Sequence, residues 1–314
     1  MKRFAIILLV ALAAQAAFAQ IKDYSVFENK FNFYVVNDMG RNGYYYQKPI
    51  AELMGQMAEE IGPAFVLANG DVHHFEGVIS VLDPLWLTNY EHIYSHPELM
   101  IPWYPTLGNH EYRGSTKAVL DYATLSRRWM MPARYYTKTF DAAGSTLRIL
   151  WIDTCPMIDK YRIESDVYPD GWKQDYQRQL AWIDSVLTVA TEDWIIVAGH
   201  HPIYAETGKD STERIDMQAR LDPILRKHNI DLYINGHIHN FQHVQTKESN
   251  IDYVTNSAAA LARSVKRIDG TVFCSHEEGF SVISVDSKTL ELRMIDKNGD
   301  IIYTLKRKKQ KRNK

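Results

Sequence analysis

Short apolar runs alternate along the chain with stripes at helical spacing. Phe31–Val36, Phe65–Ala68, Leu147–Ile152, Trp194–Ala198 and Leu232–Ile234 are nearly continuous in apolar character, the pattern of strands covered on both faces. Between them, Ile50, Leu53, Met54, Met57 and Ile61 fall at helical spacing after Pro49, a residue favoured in a first helical turn. Tyr176, Leu180, Ile183 and Leu187 form a second stripe, and Met217, Leu221, Ile224 and His228 a third; such stripes are core faces of helices. The alternation predicts an α/β fold with much parallel sheet. Toward the C-terminus the pattern changes. Phe280–Val285, Glu291–Ile295 and Ile301–Leu305 read as short strands around turns such as Lys297-Asn298-Gly299, predicting an antiparallel edge or a second sheet. No linker and no fixed repeat interrupts the chain, so residues 20–305 read as one domain.

Composition narrows the class. With 46% hydrophobic and 24% charged residues in 314, collagen-like, low-complexity and disordered chains are excluded. Two cysteines, Cys155 and Cys274, cannot build a disulfide-dense scaffold or a four-cysteine zinc site; their spacing leaves pairing and two free thiols equally open. Lys2 and Arg3, the apolar run Phe4 to Ala14 and the Ala17-Phe18-Ala19 cleavage pattern predict a signal peptide over residues 1–19, cut before Gln20. The mature protein is then exported to the periplasm or the medium. No later segment offers the roughly 18 consecutive apolar residues of a membrane span, so no stable anchor is expected.

Charge is unevenly placed. The segment Lys306 to Lys314 carries seven basic residues and reads as a solvated, disordered tail over 306–314. Of 36 basic residues, these seven and the two in the signal leave 27 against 38 acidic ones, a body near −11. Nucleic acid is therefore not an expected partner.

The candidate chemistry follows the strands. The first runs into Asp38-Met39-Gly40, the second into Asn69-Gly70-Asp71-Val72-His73-His74, and the apolar stretch Ile101 to Leu107 into Gly108-Asn109-His110-Glu111. The Trp194 strand ends in Gly199-His200-His201 and the Leu232 strand in Gly236-His237-Ile238-His239. Carboxyl ends of strands line the ligand crevice of open α/β sheets. Seven of the twelve histidines lie in these blocks. A metal cluster would satisfy them together with the aspartates, because imidazole and carboxylate suit zinc, iron and manganese. The ligands are too many for one tetrahedral ion; two ions sharing one carboxylate use them well. Each glycine before a ligand (Gly70, Gly108, Gly199, Gly236) is expected to make the sharp turn that aims it. His92 and His96, one helical turn apart, are expected on a solvated helix face rather than on zinc.

This order of blocks resembles the calcineurin-like metallophosphoesterases, and within them the purple acid phosphatases, especially the small tartrate-resistant type. Ile101-Pro102-Trp103-Tyr104, Arg128-Trp129 with Pro132 after it, and Gly236-His237-Ile238-His239-Asn240 share in the resemblance, which runs from about Asn32 to Ser284. It implies a four-layer αββα sandwich with a metal pair at the top of the strands. It implies that Asp38, His74 and His239 bind the first ion, that Asp71 bridges both, and that Asn109, His200 and His237 hold the second. It implies hydrolysis of phosphomonoesters by in-line attack of a hydroxide held between the ions, with His110 donating a proton to the leaving oxygen. Glu111 either orients His110 or is a plain surface carboxylate.

Several positions depart from the family. His74 stands where the family has a tyrosinate, with His73 as the alternative ligand, and Asn37 stands where it often has glycine. A histidine that the animal enzymes carry a few residues past the Gly-His-x-Pro block is absent, leaving His201 as its possible substitute. The family disulfide is unsupported, since Cys274 does not match the partner of Cys155. A neutral imidazole at position 74 favours two divalent ions (zinc, manganese or iron(II)), with an iron(III)-containing pair as the alternative. A phosphodiesterase or nucleotide pyrophosphatase of the same superfamily is the second reading of the activity, and a metal-binding protein without turnover the third.

Overall fold

A computed structural model describes residues 22–309; the expected signal peptide lies outside the described residues. Two β-sheets face each other with helices on both outer sides, the four-layer arrangement. The first sheet has the order β13-β12-β11-β1-β2-β3, where β1 is Phe31–Val36, β2 Val66–Ala68, β3 Trp103–Pro105, β11 Gly279–Val285, β12 Thr289–Asp296 and β13 Ile301–Lys308. The second has the order β10-β8-β9-β7-β6-β5-β4, where β4 is Tyr136–Ala142, β5 Ser145–Trp151, β6 Trp194–Ala198, β7 Leu232–Asn235, β8 Phe241–Gln245, β9 Asp252–Asn256 and β10 Thr271–Ser275. β1, β2 and β3 run parallel, as do β5, β6, β7 and β9.

The alternation in β1 shows how one strand serves two layers. Phe31 and Phe33 point between the sheets, where Phe33 stacks on Phe65 at 4.5 Å and Phe65 on Phe140 of β4 at 4.8 Å. Tyr34 points the other way, and its hydroxyl donates to Met54 O at 2.8 Å on helix α1 (Gln47–Ile61). Asn32 on the same side donates to Ile61 O at 3.0 Å, closing the end of that helix. On the far side of the second sheet, Tyr253 of β9 donates to Asp222 at 2.5 Å.

The third helical stripe is not one helix. After the short helices α2 (Thr116–Asp121) and α3 (Asp159–Ile163) and the longer α4 (Tyr176–Thr188), the chain forms α5 (Ser211–Arg220) and then α6 (Asp222–His228). Pro223, in the first turn of α6, lacks the N–H needed to continue a helix but fits a new first turn. The C-terminal strands form the antiparallel edge of the first sheet. β13 runs to Lys308, so the segment expected to be disordered from 306 begins as strand. Three of its four described charges are paired: Lys306 with Glu291 at 2.7 Å, Arg307 with Asp252, and Lys309 with Asp193 at 2.7 Å. No helix among the described residues is long and apolar enough to cross a membrane. Cys155 is buried and Cys274 half-buried, and both are free thiols.

At the top of the core the contact between sheets turns polar. Asn37, just past β1, donates to Asn235 O at 3.2 Å and to Asn256 O of the facing sheet, and accepts from Asn69 N at 2.8 Å. Asn37 thus ties the end of its own strand to the ends of three others. Asn37→Ala would remove three buried hydrogen bonds, costing about 2–4 kcal/mol. A fall in Tm of roughly 5–10 °C is expected; an unchanged melting curve would remove Asn37 from the scaffold.

Candidate metal centre

Five parallel strands end at this polar edge: β1 delivers Asp38, β2 delivers Asp71 and His74, β3 delivers Asn109 and His110, β6 delivers His200, and β7 delivers His237 and His239. The backbone bends at the ligands themselves. Asp38, Asp71, His237 and His239 have φ of 56°, 53°, 79° and 58°, the left-handed region that costs a side-chain-bearing residue about 1 kcal/mol or more. The glycines do less turning than expected. Of the four before ligands, only Gly70 has positive φ, at 86°. Gly108 is needed for close approach, because a Cβ there would stand 2.2 Å from Asp71 Oδ1.

Asp71 is the hub. Its Oδ1 accepts from His110 N at 3.0 Å. Its Oδ2 lies 3.3 Å from His200 Nε2, 3.5 Å from His74 Nε2 and 3.8 Å from His110 Nε2. His200 Nε2 is also 3.2 Å from Asn109 Oδ1 and 3.2 Å from His237 Nδ1. Asp38 Oδ2 accepts from His237 N at 2.8 Å and Ser257 Oγ at 2.5 Å, and His239 Nε2 lies 3.9 Å from Asp38 Oδ1. Ligand atoms of Asp38, His74 and His239 lie within 4.8 Å of one another, as do those of Asp38, Asp71 and His200.

The outer ring nitrogens fix which inner ones are offered. His200 Nδ1 donates to Asn69 O at 2.8 Å, leaving Nε2 inward. His237 Nε2 donates to Glu213 at 2.8 Å, leaving Nδ1 inward; such outer partners set the tautomer of metal-binding histidines. Burial holds His74, His237 and His239 well below the ordinary imidazole range, so they are neutral with a free lone pair. Burial also opposes charge on His200, but the adjacent Asp71 carboxylate overrides it and lifts His200 to about 9. Burial pushes Asp38 up to about 6. Asp38 Oδ1, both ring nitrogens of His74, and His239 Nδ1 are buried without a hydrogen-bond partner. Orphaned acceptors of this kind are costly unless an ion takes them, so the residues present fit a metal pair.

The remaining histidines divide clearly. His73 packs edge-on against Trp86 at 4.3 Å and sits 3.7 Å from Glu111; it joins none of the ligand groups among the described residues. His201 is fully buried, bonded through Nδ1 to Thr154 Oγ1 at 2.8 Å, and its Nε2 is unpaired. It groups with His200 and His237. His110 is the partly open one, with 13% of its side chain exposed and Nδ1 on Phe75 O at 2.5 Å. His96 pairs with Glu59 at 3.3 Å, away from the centre.

Glu111 is neither of the things the sequence suggested. It is buried, and its carboxylate accepts from Asp71 N at 2.8 Å, Gly108 N at 2.8 Å and His73 N at 3.1 Å. It staples the backbones of two ligand loops. Glu213, Ser257, Arg41, Lys209 and Arg263 also reach the centre without having been singled out from the sequence. Arg41 follows Gly40 directly, so its proximity was readable. Glu213 lies on α5, and only the packing of that helix brings it to His237.

The calcineurin-like phosphoesterase family matches residues 31–241. Purple acid phosphatase 3 of Arabidopsis thaliana is 30% identical over 315 residues, covering 96% of this chain and 84% of the relative. Tartrate-resistant acid phosphatase type 5 of Sus scrofa is 27% identical, covering 82% and 79%. Among solved structures, GAP50, the anchor in the inner membrane complex of Plasmodium, superposes with a TM-score of 0.74 at 22% identity, covering 90% of each chain. Purple acid phosphatase PPD1 from yellow lupin seeds gives 0.62 at 14%, covering 88% of this chain and 53% of that one; these two show the shared fold.

Glu111→Ala removes three charge-assisted hydrogen bonds at once. A loss of about 3 kcal/mol and a reduced metal content are expected, with Glu111→Gln, which keeps one acceptor oxygen, in between. Wild-type stability together with wild-type metal content in Glu111→Ala would show that the staple does not hold the ligand loops.

Proposed function

The chain belongs to the calcineurin-like phosphoesterase family, among its purple acid phosphatases, and we propose that it is an exported phosphomonoesterase working with two metal ions on either side of Asp71. It is a metal-dependent phosphatase by family. The observation that carries the finer reading is Asp71 Oδ2, with three imidazole nitrogens within 3.8 Å and orphaned ligand atoms beside it. Asp38, His74 and His239 would hold one ion, Asn109, His200 and His237 the other, and Asp71 both. Such a pair supplies Lewis-acid charge for phosphoryl oxygens and activates water near neutral pH.

The chain's own groups do the rest. His110 Nε2 faces Asp71 from the open rim. With its Nδ1–H held on Phe75 O, Nε2 carries a transferable proton only as the imidazolium, which delivers it to the departing oxygen. His201 lies behind His200 and His237, where it would support the second ion's side. Export is supported by Lys2, Arg3 and the apolar run that follows them. The acidic body supports a small phosphomonoester rather than nucleic acid as partner.

Asp71→Ala should lose both metals and turnover. His110→Ala should keep both metals and lose roughly 10²–10⁴-fold in kcat, the span of a general acid. The assay is p-nitrophenyl phosphate beside its bis ester. Preference for the bis ester would favour a phosphodiesterase, and absence of turnover with both metals bound would make this a metal-binding protein.

His74 argues for two divalent ions. With iron(III) and a divalent ion, five positive charges meet Asp38, Asp71 and a hydroxide, leaving +2 where a phenolate would leave +1. Two divalent ions (zinc, manganese or iron(II)) restore +1, and imidazole suits zinc or iron(II) better than iron(III). Glu76 does not supply the missing charge, since it is exposed and turned to Arg113 at 3.4 Å. A colourless protein is expected, turning purple in His74→Tyr reconstituted with iron. A strong visible band with stoichiometric iron(III) in the wild type would overturn the argument.

A further inference from the structure

A cavity of about 790 Å³ opens on the flank of the first sheet. Ile101 and Pro102 in its wall put it beside the amino end of β3, whereas the metal centre stands at the carboxyl ends. Its apolar lining is Leu82, Trp86, Leu87, Met100, Tyr122 and Leu125 besides, and none of the residues that converge on Asp71 takes part. Such a size and lining are those of a small-molecule site. The walls are tied to one another. Glu91 accepts from the Tyr122 hydroxyl at 2.9 Å, from Ser126 Oγ at 2.8 Å and from Arg128 Nη2 at 2.8 Å. Arg128 also donates from Nη1 to Leu99 O at 3.3 Å, and Trp103 N of β3 donates to Arg128 O at 2.6 Å. Trp86 is pinned by its Nε1, which donates to Ser80 O at 3.1 Å, and by the ring of Trp129 at 5.2 Å. The cavity is therefore preformed, which lowers the ordering cost of binding.

The surface it offers is aliphatic. Trp86 and Tyr122 stack at 3.5 Å with their planes 4° apart, and both are buried, so their faces cover each other. Leu82 is 81% exposed and Leu125 55%, and Leu87 and Met100 are exposed beside them. Large aliphatic side chains that share one open cavity mark a binding surface. The charged groups decide the other end of the ligand. Asp83 accepts from Ile79 N at 2.9 Å and from Leu85 N at 3.0 Å, and Glu91 and Arg128 are engaged with each other. Arg127 is exposed at the same cavity, and its side chain has no hydrogen-bond or ion-pair partner among the described residues. One unengaged cation beside an aliphatic wall suits one negative charge on an aliphatic body.

We propose that this cavity binds a single-chain amphiphile with a monoanionic head, a fatty carboxylate, its chain along Leu82, Leu87, Met100 and Leu125 and its head at Arg127. The head stays at the mouth, where Arg127 itself is in water, so neither charge is buried. Affinity comes from covering the aliphatic wall, and preference for an anion from Arg127. No bond is made or broken, and the site needs neither the metal ions nor turnover.

The test is calorimetry on the purified protein with dodecanoate, dodecanol and dodecyltrimethylammonium, each below the concentration at which it aggregates. Dodecanoate should bind one to one and more tightly than the other two. Arg127→Gln should weaken dodecanoate by about 5-fold, the scale of one exposed charge pair, and leave dodecanol unchanged. Arg127→Glu should reverse the order in favour of dodecyltrimethylammonium. Leu82→Asp and Leu125→Asp, at exposed positions, should keep the wild-type melting temperature and lose at least about 10-fold for dodecanol as well as dodecanoate. Absence of dodecanoate binding, equal affinity for the three head groups, or binding unchanged in both aspartate variants overturns the proposal. A dimer in sedimentation that Leu82→Asp dissociates, without dodecanoate binding, assigns the face to a second copy of the chain and overturns it. Flotation with phosphatidylglycerol vesicles, lost in Leu82→Asp and again without dodecanoate binding, assigns the face to a lipid surface and overturns it as well.

Discussion

Two carboxylates, Asp38 and Asp71, are buried at one end of a core made by two facing sheets. Neither can stay ionised there without positive charge close by. Without metal, the charge is shared with imidazole. His200 is lifted to about 9 by the Asp71 carboxylate, and Asp38 is pushed up to about 6 by burial. That compromise still leaves Asp38 Oδ1 and the ring of His74 without partners. Metal ions resolve it better than protons can, because each ion meets several orphaned acceptors at once. The chemistry of a phosphatase is thus the cheapest way to satisfy this end of the fold.

The arrangement is not held by the ligands alone. Four of them sit in left-handed backbone conformations, a strain that persists only where the surroundings over-determine it. Glu111 supplies part of that restraint through three backbone N–H groups. Ser257 holds Asp38 from the other side, and Asn37 ties the loop before it to the opposite sheet. The polar layer above the aromatic core is therefore one connected object, in which metal ligands, backbone and inter-sheet contacts share the same few side chains.

Much of this was legible in the sequence, and for identifiable reasons. β1 and β6 match their apolar runs from end to end because both faces of each strand are covered. The residues that converge at the candidate centre were legible because each stands a few residues past such a run. β8 and β9 were missed because polar residues are buried among their apolar ones: Gln242 and His243 in β8, and Asp252, Thr255 and Asn256 in β9. His243 pairs with Asp252 at 2.8 Å and with Tyr303 at 2.7 Å, so no apolar alternation marks these strands. Glu111 looked like a partner for the neighbouring His110, whereas its bonds run to Asp71, Gly108 and His73. Glu213 and Arg263 come from segments without any local signature, and only tertiary packing brings them to His237 and His239. The glycines before the candidate ligands were read as sharp turns, whereas three of the four have no positive φ and serve close approach instead.

The distribution of charge adds a last constraint. The body outside the basic terminal segments carries an excess of acidic residues, which repels anionic substrates at long range. The basic residues at the start of the C-terminal segment do not offset this near the site. Lys306, Arg307 and Lys309 are engaged with Glu291, Asp252 and Asp193 on the body itself. Attraction of a phosphate therefore has to be local, within roughly the 8–10 Å that salt leaves unscreened at physiological ionic strength. Arg41 beside His239 and Lys209 beside His237 are the cations that stand at the candidate centre itself. Such a local field favours an anion over a neutral molecule at short range, and it does so in spite of the acidic surface around it.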